Sequence, residues 1–546
     1  MKITVGELIV RFMERLGIGH IFGMPGAHIL PVYDHLYDST IKSVLVKHEQ
    51  GAAFMACGYA RASGRISACI TTAGPGATNL VTGIANAYAE KLPILIVTGE
   101  TSTYIFGKGG LQEGSGEGGS IDQAALFQGI TRYHKVVERT DYLVQVLKQA
   151  ARILRSACSG PVLLSFPYNI QKEPVDAAIL DEINFSTASP AAPTQAAPTQ
   201  ALASLIAAAS YPVIVAGYGC FKSGAEAAVA RLSEQLGIPV CTSLKGKGVV
   251  GEESELSLGC LGVTSDGDAY RYIVDHCDLV ILLGAGFNER TSYLWDGKLL
   301  AGKEVVQVDN DAAQLDKVFM AALAIHGDIR QVVGEVTAAI SGMPRKAGDK
   351  LSALRQARDN GAEQRFPLVK HFFAALAARY PHDALIFDDN IVFAQNFLKL
   401  SPGHRYFPNS GISALGHAIP AAIGARFARS GATFAILGDG GFQMCCMELM
   451  TAVNYGVPLN AVVLNNSTMG LIRKNQFQLY RERFIDCDFV NPDYACLAKS
   501  FGISHTRIET AADVDALFAT ADLDGAINLI EIMLDKNAFP SYLSDR

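Results

Sequence analysis

Two short polar motifs late in the chain have the residue types of a metal-binding turn. Gly438-Asp439-Gly440 ends one apolar segment, TFAILGDG, and Asn466 ends a second, NAVVLNN. Carboxylate and amide oxygens are hard ligands that suit Mg²⁺ or Ca²⁺ better than zinc. Mg²⁺ often bridges to phosphates, and Gly440 and Gly441 would let the backbone approach a diphosphate closely. A tight strand-to-helix turn followed by an unrelated Asn-Asn loop is the competing interpretation, and these motifs alone leave both open.

A carboxylate far upstream is a second candidate. Glu49 follows the apolar segment IKSVLV and begins a helical pattern, AAFMACGYARASG. Such a residue can simply interact with a helix N-terminus, or it can be buried and face a heterocycle nitrogen. A glycine-rich turn, GPGATN, runs from Gly74 to Asn79. It lacks the last glycine of a dinucleotide fingerprint, which argues against NAD.

The elements that must position these residues form three similar blocks. Apolar strands such as PILIVTG, LVILLGAG and TFAILGDG alternate with helical stretches in each block. This alternation is typical of parallel sheets covered on both faces, and it predicts an α/β protein with three doubly wound parallel-sheet domains. Composition places the domains at residues 1–170, 201–340 and 366–546. The linkers are predicted at 171–200, which contains the repeat AAPTQAAPTQ, and at 341–365.

Composition excludes several classes of protein. Lys and Arg total 46 against 53 Asp and Glu, a net charge of −7, so no basic footprint for nucleic acid or an anionic membrane is present. The 11 cysteines lack zinc-ligand spacing and are expected to be reduced thiols. Charges interrupt the N-terminal apolar stretch, and Gly and Pro interrupt the longer uncharged ones. We therefore expect neither a signal peptide nor a membrane span, and predict a cytoplasmic protein.

Taken together, the motifs resemble a known family. Glu49, the GPGATN turn and GDG followed by NN form the pattern of thiamine diphosphate-dependent decarboxylases and carboligases, and the chain is most similar to the acetolactate synthase large-subunit group. Stretches such as KHEQGAAFMACGYARASG carry the resemblance, which covers essentially the whole chain. It implies pyrimidine-binding, central and diphosphate-binding domains, with thiamine diphosphate and Mg²⁺ as cofactors. Because family members divide each site between two subunits, it also implies a homodimer or homotetramer.

The resemblance assigns roles to particular residues. Glu49 would hydrogen-bond the aminopyrimidine ring and promote the tautomer that removes the cofactor's C2 proton. Asp439, Asn466 and Thr468 would hold Mg²⁺ through oxygen atoms. Leu415 would wedge the cofactor into its bent shape, or it is a core leucine, and Ser413 would offer its backbone carbonyl to the exocyclic amino group. Further cofactor contacts are expected at Pro25, Gly74, Asn79, Gly438, Gly440, Gly441, Met469 and Gly470.

Several positions depart from acetolactate synthases. Gly26-Ala27-His28 replaces the usual Gly-Gly-Ala and resembles benzaldehyde lyase, which makes His28 an acid/base candidate or a satisfied loop histidine. Gln112 lies in a glycine-rich loop, Gly107–Gln123, and is a candidate donor to substrate. The glycines favour a mobile, gating loop, or they only mark an irregular turn. Asn475 stands where acetohydroxyacid synthases carry a tryptophan, which predicts a larger and more polar acceptor pocket.

The central block also lacks the residues that bind flavin in acetolactate synthases. Gly286 occupies the position of an expected arginine, and Val263-Thr264-Ser265 replaces a Met-His-Gly motif. We therefore predict no tightly bound FAD.

The predicted function is decarboxylation of a small 2-oxo acid and carboligation to an aldehyde or ketone, giving an acetolactate-like or acyloin 2-hydroxy ketone. The alternatives are an acyloin lyase, a simple 2-oxo acid decarboxylase and a phosphate-dependent acetyltransferase of the same family. A non-catalytic partner that has kept the fold is a further alternative. It is disfavoured because no requirement of the fold demands Glu49, Asp439 and Asn466 together.

Overall fold

The N-terminal domain is built on a six-stranded, fully parallel sheet. The computed structural model describes residues 1–186, 196–346, 350–351, 366–402 and 405–540. Strands β4, β5 and β7 are buried along their whole length because helices cover both faces of the sheet. The order is β3-β2-β4-β5-β7-β6, and β1 pairs with β8 in a separate antiparallel ribbon. The strands are β1 Lys2–Thr4, β2 His20–Gly23, β3 Lys42–Leu45, β4 Ser67–Thr71, β5 Ile94–Glu100, β6 Tyr133–Val136, β7 Val162–Pro167 and β8 Pro174–Asp176. The α-helices are Val5–Arg15, Leu30–Tyr37, Glu49–Ser63, Pro75–Thr78, Val81–Ala89, Gln123–Gln128, Leu143–Leu154 and Tyr168–Gln171.

The central domain repeats this architecture. Its six parallel strands lie in the order β11-β10-β9-β12-β13-β14. The apolar strands at its centre, PVIVA and LVILL, are fully buried. The strands are β9 Pro212–Ala216, β10 Val240–Thr242, β11 Ser257–Cys260, β12 Leu279–Leu283, β13 Glu304–Asp309 and β14 Leu323–His326. The helices are Ala196–Ala208, Tyr218–Lys222, Glu226–Leu236, Asp268–His276 and Ile329–Ala339.

The C-terminal domain has a third parallel sheet, in the order β16-β15-β17-β18-β20-β19. Three parallel sheets flanked by helices confirm the predicted fold class. The strands are β15 Leu385–Asp388, β16 Arg405–Pro408, β17 Thr433–Gly438, β18 Leu459–Asn465, β19 Ser504–Ile508 and β20 Ile527–Met533. The helices are Pro367–Arg379, Val392–Phe397, Ala418–Ala428, Asp439–Cys445, Leu449–Tyr455, Gly470–Leu479, Tyr494–Phe501 and Ala511–Thr520. Every helix in the described parts of the chain is too short or too polar to cross a bilayer.

The segments predicted as linkers are only partly described. The predicted linker 171–200 contains strand β8, which pairs with the N-terminal strand β1. It also contains the start of helix Ala196–Ala208. Residues 187–195 and most of the predicted linker 341–365 lie outside the described residues. The domain boundaries themselves stay predictions.

The N-terminal and C-terminal domains share one apolar core across two crossing helices. A Cβ atom on Gly58 would lie 1.8 Å from the Ala421 carbonyl oxygen, and one on Gly424 would lie 1.9 Å from that of Met55. Only glycine fits at either position, so helices Glu49–Ser63 and Ala418–Ala428 approach backbone to backbone. This crossing fixes the helix that begins at Glu49 against the C-terminal domain of the same chain.

Candidate active site

Asp439 lies at the carboxyl end of β17, where ligands bind in open parallel sheets. Its side chain is buried, and Oδ2 accepts hydrogen bonds from the backbone N–H of Ser467 at 2.6 Å and of Asn466 at 3.2 Å. The Asn491 amide donates to the same oxygen at 2.8 Å. Burial raises the pKa of the Asp439 carboxyl, while the hydrogen bonds from Asn491 and Ser467 oppose that rise. The carboxylate is therefore held in one orientation by the loop that follows β18.

The loop after β18 carries the other predicted metal ligands. Ser467 takes a left-handed conformation, φ +53°, which turns the chain directly after Asn466. The Asn466 side-chain oxygen accepts from the Thr468 backbone N–H at 3.3 Å, and the Thr468 hydroxyl donates to the Cys487 carbonyl at 2.8 Å. Because this hydroxyl is engaged, the backbone carbonyl is the other oxygen that Thr468 can offer a metal.

A cavity of about 300 Å³ opens beside these residues. A Cβ atom on Gly440 would lie 2.6 Å from the Met469 sulfur, and one on Gly441 would lie 2.6 Å from an Asp389 oxygen. A side chain at either position would therefore displace its neighbours. The carboxylate, amide and carbonyl oxygens fit Mg²⁺, and the bare glycine backbone fits a diphosphate. The lining includes the predicted residues Leu415, Gly438, Asp439, Gly440, Gly441, Asn466, Thr468, Met469 and Gly470.

Asp389, which the sequence did not single out, organises one wall of this cavity. Its two carboxylate oxygens accept from the backbone N–H of Gly416 at 2.7 Å and of His417 at 3.2 Å. These contacts anchor the segment that carries Leu415 and Ser413. Ser413 is in the left-handed region, φ +58°, and its carbonyl accepts from Asn390 at 3.4 Å. Burial raises the pKa of Asp389 to about 7, although backbone N–H groups favour its ionised form.

Glu49 is the first residue of helix Glu49–Ser63 and is buried. Its Oε2 accepts a hydrogen bond from the Asn79 side chain at 2.9 Å. Asn79 ends the short helix that begins after Gly74, whose φ of +59° is one that glycine adopts without strain. The structure therefore brings the predicted acid together with the end of the GPGATN turn.

His28 and Gln112 are neighbours, although they are far apart in sequence. His28 Nδ1 lies 3.3 Å from Gln112 Oε1, and the Thr72 hydroxyl donates to the same oxygen at 3.2 Å. Gln112 has a φ of +56°, and a Cβ atom on Gly74 would lie 3.0 Å from the Gln112 Cβ atom. The side chains of His28, Thr72 and Gln112 therefore form one polar group beside the glycine-rich turn.

The glycine-rich loop Gly107–Gln123 is held by acidic and amide side chains. Glu113 is buried and accepts from the backbone N–H of Gly107 at 2.6 Å and of Gly110 at 2.8 Å. The Gln123 amide donates to Thr98 at 2.9 Å, and its oxygen accepts from the Gly74 backbone N–H at 3.3 Å. These contacts fix the loop on both sides of Gln112. Its predicted mobility stays a prediction.

Among the described residues, the N-terminal group of candidates takes no part in lining the cavity at Asp439. Arg290 of the central domain and residues between 389 and 540 line the cavity at Asp439. Glu49, His28 and Gln112 belong to the N-terminal domain, and Gln112 lines a separate cavity of about 570 Å³. The single chain thus presents two half-sites.

Other predicted residues have less defined positions. Pro25 is exposed. Asn475 is partly buried on helix Gly470–Leu479, in the turn after the cavity-lining Leu471 and Ile472. Gly286 lines a cavity of about 210 Å³ to which all three domains contribute. The absence of FAD stays a prediction.

Sequence reasoning missed Thr72, Asp389 and Asn491. Thr72 lies close to the GPGATN turn, which the sequence did predict as part of a site. This position is the only feature of the sequence that points to Thr72. Asp389 directly follows strand β15 in the segment ALIFDDN, a position at which polar side chains reach a ligand edge. Asn491 lies in a loop with no motif, and only the folded chain brings it to Asp439.

The domains match three parts of one family. Residues 3–125 match the N-terminal TPP binding domain of thiamine pyrophosphate enzymes, residues 199–336 the central domain and residues 390–532 the C-terminal TPP binding domain. The chain belongs to the thiamine pyrophosphate (thiamine diphosphate) enzyme family, and it is a thiamine diphosphate-dependent enzyme.

Its relatives include acetolactate synthase large subunits. It is 32% identical to a probable acetolactate synthase large subunit of Methanocaldococcus jannaschii, over 97% of this chain and 91% of the relative. Identity to the acetolactate synthase isozyme 2 large subunit of Escherichia coli is 30%, over 98% and 96%. The acetolactate synthase large subunit of Pyropia yezoensis is 31% identical, over 96% and 91%. The family resemblance is confirmed, whereas the benzaldehyde lyase-like segment at His28 stays a prediction.

Proposed function

We propose that this enzyme decarboxylates a small 2-oxo acid such as pyruvate and joins the resulting fragment to an aldehyde or ketone. The product would be an acetolactate-like or acyloin 2-hydroxy ketone. Similarity to acetolactate synthase large subunits over nearly the whole chain supports thiamine diphosphate-dependent decarboxylation and carboligation.

The cofactors would be held by residues already described. When bound, thiamine diphosphate supplies a carbon nucleophile and an electron sink for carbon–carbon bond chemistry. Asp439, Asn466 and Thr468 would hold Mg²⁺ and, through it, the diphosphate. Glu49, oriented by Asn79, would hold the pyrimidine ring and exchange a proton with it.

The contact between His28 and Gln112 is the observation that carries the proposal. Gln112 Oε1 already accepts a hydrogen bond from Thr72, so the His28 Nδ1 atom that faces it carries the proton. In the neutral imidazole the Nε2 atom then has the free lone pair. It can take a proton from a substrate hydroxyl, and the imidazolium can return one to a carbonyl oxygen. That is the proton transfer that making or breaking a 2-hydroxy ketone requires.

The separation of the half-sites supports a homodimer or homotetramer as the active form. One protomer would supply Glu49, His28 and Gln112, and its partner would supply the Asp439 cavity. A two-fold dimer makes both sites complete at once.

Product analysis by NMR tests the proposed reaction. The purified protein would receive thiamine diphosphate, Mg²⁺ and pyruvate, first alone and then with an aldehyde or a second 2-oxo acid. We expect acetolactate or a mixed hydroxy ketone, formed only with both cofactors. Acetaldehyde alone would indicate a simple decarboxylase, and no consumption of pyruvate would favour acyloin cleavage or phosphate-dependent acyl transfer from another donor.

Acyloin cleavage is the second candidate, and the same pair of residues favours it. A base that takes the proton of a hydroxy ketone's hydroxyl promotes the reverse of ligation. Incubation of acetoin or benzoin with the holoenzyme would distinguish the two. Cleavage of either compound without consumption of pyruvate would replace the ligase assignment by a lyase.

A further inference from the structure

A second large cavity lies where the three domains meet. It has a volume of about 760 Å³ and shares no lining residue with the cavity at Asp439. We call it the basic cleft, and define it by its seven cationic side chains. These are Arg61, Arg65, Lys91, Arg155, Lys222, Arg405 and Arg429. No carboxylate lines it in the described part of the chain, although the whole chain has a net charge of −7.

Four of these cations form ion pairs with carboxylates that do not line the cleft. The pairs are Arg61 with Glu90 at 3.4 Å, Arg405 with Glu226 at 3.3 Å, Arg429 with Asp383 at 3.1 Å and Lys91 with Asp311. Such pairs orient the side chains but leave little net charge in the cleft.

The other three cations have no carboxylate within ion-pair distance among the described residues, although Asp309 and Asp311 lie near enough to Lys222 to favour its charged form. Arg65, Arg155 and Lys222 form no ion pair with a carboxylate of the described residues. Arg155 donates to the backbone carbonyl oxygens of Leu16 at 3.0 Å and Arg15 at 3.4 Å, and its Nε atom is buried without a partner. A buried N–H group left unbonded costs free energy that a bound acceptor would recover.

Electrostatics in the cleft agree with this geometry. Burial lowers the pKa of the Arg155 guanidinium. Burial and, next, the charge of Lys91 lower the pKa of Lys222, while nearby acidic groups oppose that effect. Burial disfavours the charged form of both groups, and only Lys222 also faces a like charge, that of Lys91, so a bound anion would stabilise both cations.

We propose that the basic cleft binds a small molecule carrying a polyphosphate group. Guanidinium groups match phosphate oxygens in geometry and charge, and three uncompensated cations suit an anion with several charges. The cleft is concave, and its volume lies within the range of small-molecule sites, about 300–1,000 Å³. Tyr218 and Phe221 also line it and provide aromatic surface for a base attached to the phosphates. All three domains contribute, so a bound ligand would tie them together.

Calorimetric titration of the full-length holoenzyme tests this site. Inorganic tripolyphosphate is the probe, with thiamine diphosphate saturating and Mg²⁺ in excess, so the diphosphate site at Asp439 is already filled. We expect one binding event per chain that weakens as salt is added. Arg65→Gln and Lys222→Gln should each reduce affinity about tenfold, because each removes a charge from a side chain that forms no ion pair in the described chain. Arg65 also lies over the Tyr59 ring, 5.3 Å from its centroid, so its variant is checked for an unchanged melting temperature. Arg155→Gln should act in the same direction.

A matched control uses an arginine outside the cleft. Arg139→Gln removes an exposed guanidinium that pairs with Asp141, and tripolyphosphate affinity should not change. Thiamine diphosphate affinity should stay unchanged in all these variants. ATP in place of tripolyphosphate separates the two sources of phosphate, since tighter binding of ATP would indicate a nucleoside ligand and equal binding an inorganic one.

Two results would overturn the proposal. One is no binding of tripolyphosphate or ATP to the wild-type holoenzyme at low salt. The other is equal affinity in the wild type and in the Arg65→Gln/Lys222→Gln double variant, which would place the anion elsewhere. A double variant with unchanged melting temperature and lost binding would support it.

Discussion

The Glu448 carboxylate of the C-terminal domain accepts a hydrogen bond from the backbone N–H of His48 at 3.0 Å, directly before Glu49. It also accepts from the Lys47 N–H at 3.1 Å and from the Thr451 hydroxyl at 2.7 Å. A buried carboxylate therefore ties the start of the helix carrying the N-terminal half-site to the domain carrying the other half-site.

We expect Glu448→Ala to lower the free energy of unfolding by about 1–3 kcal/mol, because it leaves buried N–H groups unsatisfied. Glu448→Gln should cost less, since it keeps one acceptor oxygen. Thermal unfolding monitored by circular dichroism measures both, with the exposed Glu255→Ala as the control. Equal melting temperatures for Glu448→Ala and the control would show that the contact contributes nothing.

Removal of the Glu49 carboxylate should abolish activation of the cofactor. We expect Glu49→Gln to reduce turnover by at least about 100-fold, the range of a lost general acid/base, while the protein stays folded. Steady-state kinetics with analytical ultracentrifugation would check activity and assembly together. Near-normal turnover would contradict the proposed role of Glu49.

The metal site depends on Asp439 and on the residue that orients it. Chelation with EDTA should remove activity, and added Mg²⁺ should restore it. Asp439→Ala should prevent restoration at any Mg²⁺ concentration. Asn491→Ala should raise the Mg²⁺ concentration needed for half-maximal activity about 10-fold or more, because loss of an outer-shell partner weakens metal sites by this amount. An unchanged Mg²⁺ dependence in Asn491→Ala would exclude the orienting role.

His28 should act on substrate and not on cofactor binding. We expect His28→Ala to slow carboligation and acyloin cleavage about 100-fold or more, with an unchanged dissociation constant for thiamine diphosphate. Gln112→Ala should have a smaller effect in the same direction, because it loses only the contact that fixes the imidazole. The rates of both reactions would be measured beside thiamine diphosphate binding, which is followed by quenching of protein fluorescence. The two measurements separate an effect on the reaction from an effect on cofactor binding. Unchanged rates of carboligation and acyloin cleavage in His28→Ala would show that His28 has only a structural role.

Asp389 should make the stability of the protein depend on pH. Burial raises its pKa in the folded protein to about 7, above the value of about 4 in an unfolded chain. Between these values the folded state binds more protons, so its stability falls as pH rises from about 4 to 7 and then levels off. Each unit of separation corresponds to about 1.4 kcal/mol.

The isosteric variant Asp389→Asn removes this titration. Its melting temperature, relative to wild type, should increase between pH 5 and pH 7.5 for protein without cofactor. Asp388 also titrates in the buried wall, with a pKa raised to about 6, and its charge raises the pKa of Asp389, so the comparison reports the titration of this coupled pair. A difference that does not vary with pH would contradict the raised pKa.

The three parallel sheets and the position of Asp439 and Asn466 at a sheet edge could be predicted from the amino-acid sequence. Both follow from local pattern, since long apolar segments such as TFAILG and NAVVLN have to be buried strands. The carboxyl ends of neighbouring parallel strands meet at one edge, so a motif at each end predicts a shared site. The edge strands β6, YHKV, and β19, SHTRI, are short or partly exposed, so neither contains a long apolar segment that would predict a strand. Their pairing comes from the neighbouring strand and not from their own periodicity.

The distant side chains that support the site could not be predicted in this way, because they meet only in the folded chain. Asn491 reaches Asp439, Gln112 meets His28, and Glu448 holds the backbone before Glu49, each through a contact between residues far apart in sequence. A hydrogen bond depends on direction and distance within a few tenths of an ångström, which residue type and spacing do not encode. The uncompensated charge of the basic cleft likewise emerges only when three domains are packed together, because charge in a cleft depends on which carboxylates face it.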